Sequence, residues 1–331
     1  MKKHTKGLLT AAGIAAGAAV LGALYNVTIH KLVELALNRE EPKVIDPEKG
    51  RDLIMGSSEL SKTLSTIMDR AAELEQRDSE RLELVAHDGI TLVGHWIAPP
   101  QPKRVIIAMH GWRSSWSQDF GMIADFWYEQ GCAVLYAEQR AQGGSGGDYM
   151  GFGVLERFDC RDWATFIHER TGGKLPVYLA GISMGATTVM MATALELPSS
   201  VCGILADCGF TSPHAIWKHV VEENLHLPYG LYSAAASELY KRKVQFKADE
   251  ICCTDALRNC TIPVLFIHGT DDRFVPVEMT YENYKACAAE KQLFVVPGAD
   301  HGLSYLVDRE GYETAVKEFW QDREGLKSFK K

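Results

Sequence analysis

The stretch Leu175–Met190, LPVYLAGISMGATTVM, constrains this chain more than any other. Val177–Ala180 reads as a short strand, and the small residues from Gly185 onward read as the opening of a helix. Between them, Gly181-Ile182-Ser183-Met184-Gly185 has the G-x-S-x-G pattern in the strand–turn–helix setting that holds a serine at the tip of a strained turn. Side chains at Gly181 and Gly185 would collide in so tight a turn, so glycine is the low-cost residue at both. The following helix points free N–H groups at the serine, where they can stabilise an oxyanion. Ser183 is therefore the candidate nucleophile.

The rest of the chain supplies a sheet for that turn. Arg81–Val85 and Ile90–Ile97 are strand-like and joined by His87-Asp88-Gly89, a hairpin turn. Arg104–Met109 is a continuous apolar run, as expected of a strand buried on both faces, and ends in His110-Gly111-Trp112. A helix near Gln118–Gln130, a strand Cys132–Tyr136, a Gly-rich loop Glu138–Gly153 and a helix near Leu155–Arg170 follow. After the serine turn come strands Val201–Ala206, Pro263–His268 and Leu293–Val296. This order predicts an α/β fold with a mostly parallel eight-stranded sheet and helices on both faces. Functional groups should lie beyond the carboxyl ends of the strands. The connection Thr211–Thr261, about fifty residues with Trp217, Leu225, Tyr229 and Tyr232, is too long and apolar for a plain loop and predicts a small helical cap.

A serine hydroxyl needs a base, and the base needs an orienting carboxylate. In this class of fold the order is serine, acid, histidine. His301, in Pro297-Gly298-Ala299-Asp300-His301-Gly302, is the candidate base. Strand-end Asp272, in His268-Gly269-Thr270-Asp271-Asp272, is the preferred acid, with Asp271 its competitor. Asp300 reads as structural, because adjacency points it away from the imidazole. Peptide N–H groups of Met184 and Trp112 are the candidate oxyanion donors, and His110 reads as a hydrogen-bonding prop for that loop. Asp207 reads as a core turn residue, a cap anchor or a substrate contact.

Together, His110-Gly111-Trp112, the Ser183 pentapeptide, His268-Gly269-x-x-Asp272-x-x-Val275-Pro276 and Gly298-Ala299-Asp300-His301-Gly302 resemble the α/β-hydrolase superfamily. The chain is most similar to the bacterial serine-hydrolase branch grouped with the S33 aminopeptidases and monoacylglycerol lipases, some of them membrane-anchored. The resemblance runs from Arg81 to Trp320 and implies Ser183, Asp272 and His301 as a triad acting on an acyl ester or amide. Where many relatives carry Asp-x-Arg-Gly-His-Gly-x-Ser, this chain has Glu138-Gln139-Arg140-Ala141-Gln142-Gly143-Gly144-Ser145. The expected activity is that of a serine hydrolase cleaving an apolar, lipid-like carboxylic ester, with no metal or organic cofactor required. A serine peptidase, an acyltransferase and a catalytically silent ligand-binding protein are the rival readings. An aminopeptidase would need a carboxylate for the substrate amine, for which the cap offers Glu222, Glu223 and Glu238.

The first thirty residues differ from the rest. Lys2, Lys3 and Lys6 precede an uncharged run, Gly7–Ile29, long enough to span a bilayer and containing Gly13-x-x-x-Gly17. Leu24-Tyr25-Asn26-Val27 offers no small-x-small cleavage site, so the run reads as a single-pass anchor rather than a signal peptide. This divides the chain into an anchor (1–30), a linker with an amphipathic helix over Ser57–Glu75 (31–80), and the catalytic domain (81–331). Lys2, Lys3 and Lys6 are balanced by Lys31, Arg39 and Lys43, and the free amino group tips the domain slightly outward, whereas eight cysteines without a C-x-x-C pair suit a reducing compartment. A net charge of -8 argues against a nucleic-acid partner.

Overall fold

The computed structural model describes residues 25–40 and 59–328. Eight strands form one sheet: β1 (Glu80–Val85), β2 (Thr91–Ile97), β3 (Arg104–Met109), β4 (Cys132–Glu138), β5 (Val177–Ile182), β6 (Val201–Asp207), β7 (Val264–Gly269) and β8 (Lys291–Val296). Their spatial order is β1-β2-β4-β3-β5-β6-β7-β8. The β1–β2 and β2–β4 pairs are antiparallel and all others parallel, as the leading hairpin and the later alternation require.

The period of two along β3 divides the core. Val105, Ile107 and Met109 face a layer containing Trp163, Ile167 and the serine-turn helix Met184–Ala192. Ile106 and Ala108 face Phe120, Trp127, Phe319 and Trp320 on the other side. All six β3 residues are buried, which is why the sequence shows an unbroken apolar run there.

The long connection folds as Pro213–His219, a π-helical turn Val220–Asn224, and Tyr229–Val244. Its last helix, Cys253–Arg258, buries Cys253 and Leu257 in the main core, so the cap is shorter than the Thr211–Thr261 span. The helix expected near Gln118–Gln130 is two pieces, Trp116–Phe120 and Ala124–Glu129. Its interruption begins at Gly121, where a Cβ would stand 2.7 Å from the Arg70 backbone of the crossing helix Glu59–Glu75. That helix buries Ala71 and Leu74 but leaves Leu64 and Met68 exposed, so only part of its predicted stripe meets the domain.

The N-terminal segment is the main departure. Residues 25–37 are helical, crossing the expected boundary between anchor and linker at residue 30. Ile29, Val33 and Leu37, spaced four apart, are buried in the main core. The expected anchor lies largely outside the described residues, and its last six residues instead begin a helix packed on the domain. Among the described residues no helix is long and apolar enough to cross a membrane. All eight cysteines are free thiols.

Candidate active site

Ser183 lies between β5 and the helix Met184–Ala192, at φ 55° and ψ −118°, a conformation that L side chains rarely adopt. Two close approaches enforce it. A Cβ on Gly181 would stand 2.2 Å from the Gly185 carbonyl carbon, and one on Gly185 would stand 1.8 Å from the Met109 carbonyl oxygen. The second clash is with the end of β3 rather than across the turn, a contact that local sequence does not display. Gly185→Ala should therefore cost at least about 3 kcal/mol of stability, measurable by urea unfolding; an unchanged midpoint would contradict this packing.

The structure joins Ser183, His301 and Asp272 in one hydrogen-bonded chain. Ser183 Oγ–H donates to His301 Nε2 at 3.0 Å, and His301 Nδ1–H donates to Asp272 Oδ2 at 2.7 Å. Asp272 is saturated: Oδ1 accepts from the Phe274 and Val275 N–H groups at 2.9 and 2.8 Å, and Oδ2 also accepts from His268 Nε2–H at 3.1 Å. Thr280 Oγ1 donates to His268 Nδ1 at 2.6 Å, which leaves the ring's Nε2–H shared between the Val275 carbonyl at 2.8 Å and the carboxylate.

Burial opposes the charge on Asp272, but His301 and His268 prevail and hold its carboxyl well below the usual carboxylate range. Burial likewise opposes the imidazolium of His301, and the Asp272 charge prevails, raising it well above its ordinary value. Cys208 also borders His301 and adds to the rise of its imidazolium, while burial pushes the Cys208 thiol itself up to about 11. The sulfur and one potential ligand atom each of Asp272 and His301 lie within 4.8 Å of one another.

The loop after β3 borders the serine, since a Cβ on Gly111 would lie 3.4 Å from Ser183 Cβ. The Gly111 N–H donates to Asp119 Oδ2 at 2.6 Å, leaving Trp112 as the next donor along the loop. His110 is buried and held neutral by that burial. Its Nδ1–H donates to Gly111 O at 2.8 Å and its Nε2 accepts from Gln139 N–H at 3.1 Å, tying the loop to the end of β4.

A family model described as serine aminopeptidase, S33, matches residues 100–240. YqkD, an uncharacterized protein of Bacillus subtilis, is 25% identical over 245 residues, 74% of this chain and 80% of that one. Non-heme chloroperoxidase CPO-A1 of Kitasatospora aureofaciens is 23% identical over 256 residues, 65% of this chain and 92% of that one. The structure of Pyrococcus furiosus esterase Pf2001 superposes with a TM-score of 0.62 at 23% identity, covering 74% of this chain and 91% of that one. Esterase RhEst1 from Rhodococcus sp. ECU1013 gives 0.52 at 20% identity, covering 73% and 99%. This is the α/β-hydrolase fold.

In this hydrolase fold, Asp271 is exposed and accepts from Thr270 Oγ1 at 2.7 Å, away from His301. Asp300 accepts from the His301 backbone N–H at 2.8 Å, within its own turn. Asp207, pushed up to about 6 by burial, faces Ser304 Oγ at 3.3 Å and so anchors the segment after His301 rather than the cap. Gln142, at the departure from the relatives' loop pattern, is buried.

The contacts of His268 with Asp272 and of Phe274 with His301 were not anticipated. The His268 contact had a sequence signal, a histidine four residues before the acid at a strand end. Phe274 packs edge-on against His301 with centroids 5.0 Å apart and also lines an apolar cavity. Trp112 and Phe152 line it from the hydrolase core, Trp217 and Tyr229 from the cap. None of its lining residues carries a carboxylate, and Glu238 is instead paired with Arg242 at 3.1 Å on the exposed cap surface.

Proposed function

We propose that this chain is a serine hydrolase acting on carboxylic esters with an apolar acyl group. The observation that carries the reading is the apolar cavity that shares Trp112 and Phe274 with the surroundings of Ser183 and His301. A cavity of this apolar character suits a hydrocarbon chain. Its lining residues offer no carboxylate to an α-ammonium group, which disfavours aminopeptidase action.

In the proposed reaction, Ser183 Oγ bonds to the ester carbonyl carbon as its proton passes to His301 Nε2. The carbonyl electrons move onto oxygen, which the N–H groups of Trp112 and Met184 stabilise. Collapse breaks the bond to the alcohol oxygen, which takes the proton from His301. Water then gives a proton to His301 and bonds to the acyl carbon. The carbon–Oγ bond breaks, and Ser183 recovers its proton as the acid leaves.

The test is hydrolysis of p-nitrophenyl esters from acetate to palmitate by the full chain. Turnover preferring a medium or long acyl group is expected. The family model's description favours a second reading, serine peptidase. Cleavage of aminoacyl-arylamides without cleavage of any ester would replace the first reading by the second.

A further inference from the structure

We propose that helix 25–37 is a wall of the active site and that its Leu32 sets the acyl length the cavity accepts. This rests on the acyl-ester reading above. Ile29, Leu32, Leu35 and Ala36 all line the cavity together with Trp112 and the cap. Ile29 also belongs, with Val33 and Leu37, to the buried stripe that seats the helix, so one helix serves core and cavity together.

The helix is fastened to the very loop that supplies the candidate oxyanion donor. Its last carbonyls lack intrahelical partners and require donors. Trp112 Nε1–H donates to Ala36 O at 2.8 Å. The Arg113 guanidinium donates to Leu35 O at 2.9 Å and Asn38 O at 2.7 Å while lying 5.4 Å from the centroid of the Trp112 ring. A cation suits the negative end of a helix. Arg113 holds φ at 50°, an unusual value for a residue with a side chain, and the contacts it reaches there compensate.

Further ties run to both sides of the cavity. Arg39 donates to Ser145 O at 2.5 Å and Gly143 O at 2.6 Å, and Met150 N–H donates to Leu37 O at 2.8 Å. On the cap side, Tyr25 stacks on Tyr232 with centroids 5.5 Å apart, and Lys243 Nζ donates to Asn38 Oδ1 at 3.2 Å. Removing residues 1–30 would therefore delete part of the cavity wall, Ile29 included.

Leu32 is half-buried, so it tolerates exchange better than the core residues beside it. In the full chain, the ratio of kcat/KM on the longest ester accepted to that on p-nitrophenyl acetate should fall at least about 30-fold in Leu32→Trp, because added bulk excludes distal methylenes. Leu32→Ala should move the preferred length the other way, which keeps the test alive if the tryptophan variant does not fold. Arg113→Met should weaken long-chain preference with Leu32 untouched. Equal losses at every chain length, or unmoved profiles in all three variants, would overturn the proposal.

Labelling of Ser183 by ethyl and dodecyl fluorophosphonates separates this from the ester reading. Should no ester be cleaved while both probes label, the ester reading fails. The Leu32→Trp variant must still depress the dodecyl-to-ethyl rate ratio, and an unchanged ratio then sinks the wall as well.

Discussion

Ser183→Ala should lower ester turnover by about three orders of magnitude or more and leave the fold intact. In the proposed reaction the hydroxyl forms the acyl bond, and without it the rest of the site has only a water to work with. A second substitution separates chemistry from backbone strain. At φ 55° and ψ −118° the residue is held in an unusual conformation by the Gly181–Gly185 and Gly185–Met109 approaches. Alanine keeps that strain, whereas glycine relieves it. Ser183→Gly should therefore be as inactive as Ser183→Ala yet more stable than it by about 1 kcal/mol, seen as a higher thermal midpoint. Near-normal esterase activity in either variant would dismiss Ser183 as the nucleophile. Equal midpoints would mean that the turn stores no strain at this position.

The pair also shows which features a sequence displays. The serine turn was legible because its determinants are local: an apolar strand, two glycines, a helix of small residues. The sheet was legible for the same reason, since β3 buried on both faces must be an unbroken apolar run. Asp272 and His301 could be proposed because each ends a strand, and strand ends in such a sheet converge. Local signals do not report long-range partners. The Phe274 ring on His301 and the Cys208 thiol beside it are products of packing between separate strands, whereas the His268 bond to Asp272 spans only four residues.

The packing of helix 25–37 was not legible for a more basic reason. Tyr25–Ile29 ends an uncharged run, and an uncharged run is compatible with lipid or with a protein core. The partners of these residues in the described structure are far along the chain, as with Tyr25 and Tyr232. Hydropathy gives the demand for an apolar surround but not its source.

The largest further effect is expected at Asp272. Asp272→Asn should reduce kcat/KM by about four orders of magnitude, and the hydrogen-bond pattern says why. Oδ1 accepts from two backbone N–H groups, so an asparagine must place its oxygen there. Its NH2 then meets His301 Nδ1 and His268 Nε2, both of which now donate to Oδ2. To accept that new donor, His301 must move its proton to Nε2, where it can no longer take one from Ser183. The pH profile supplies an independent sign. His301 must be neutral to act as base, and Asp272 raises its pKa despite burial, so activity in the unaltered protein should fail as pH drops through that raised value. With the carboxylate gone, burial remains and the imidazolium is less stable. The acid limb of the residual activity should move to lower pH. Asp271→Asn, at an exposed position, should shift neither rate nor limb. A limb that stayed in place in Asp272→Asn, or that moved in Asp271→Asn, would assign the orienting acid to another group.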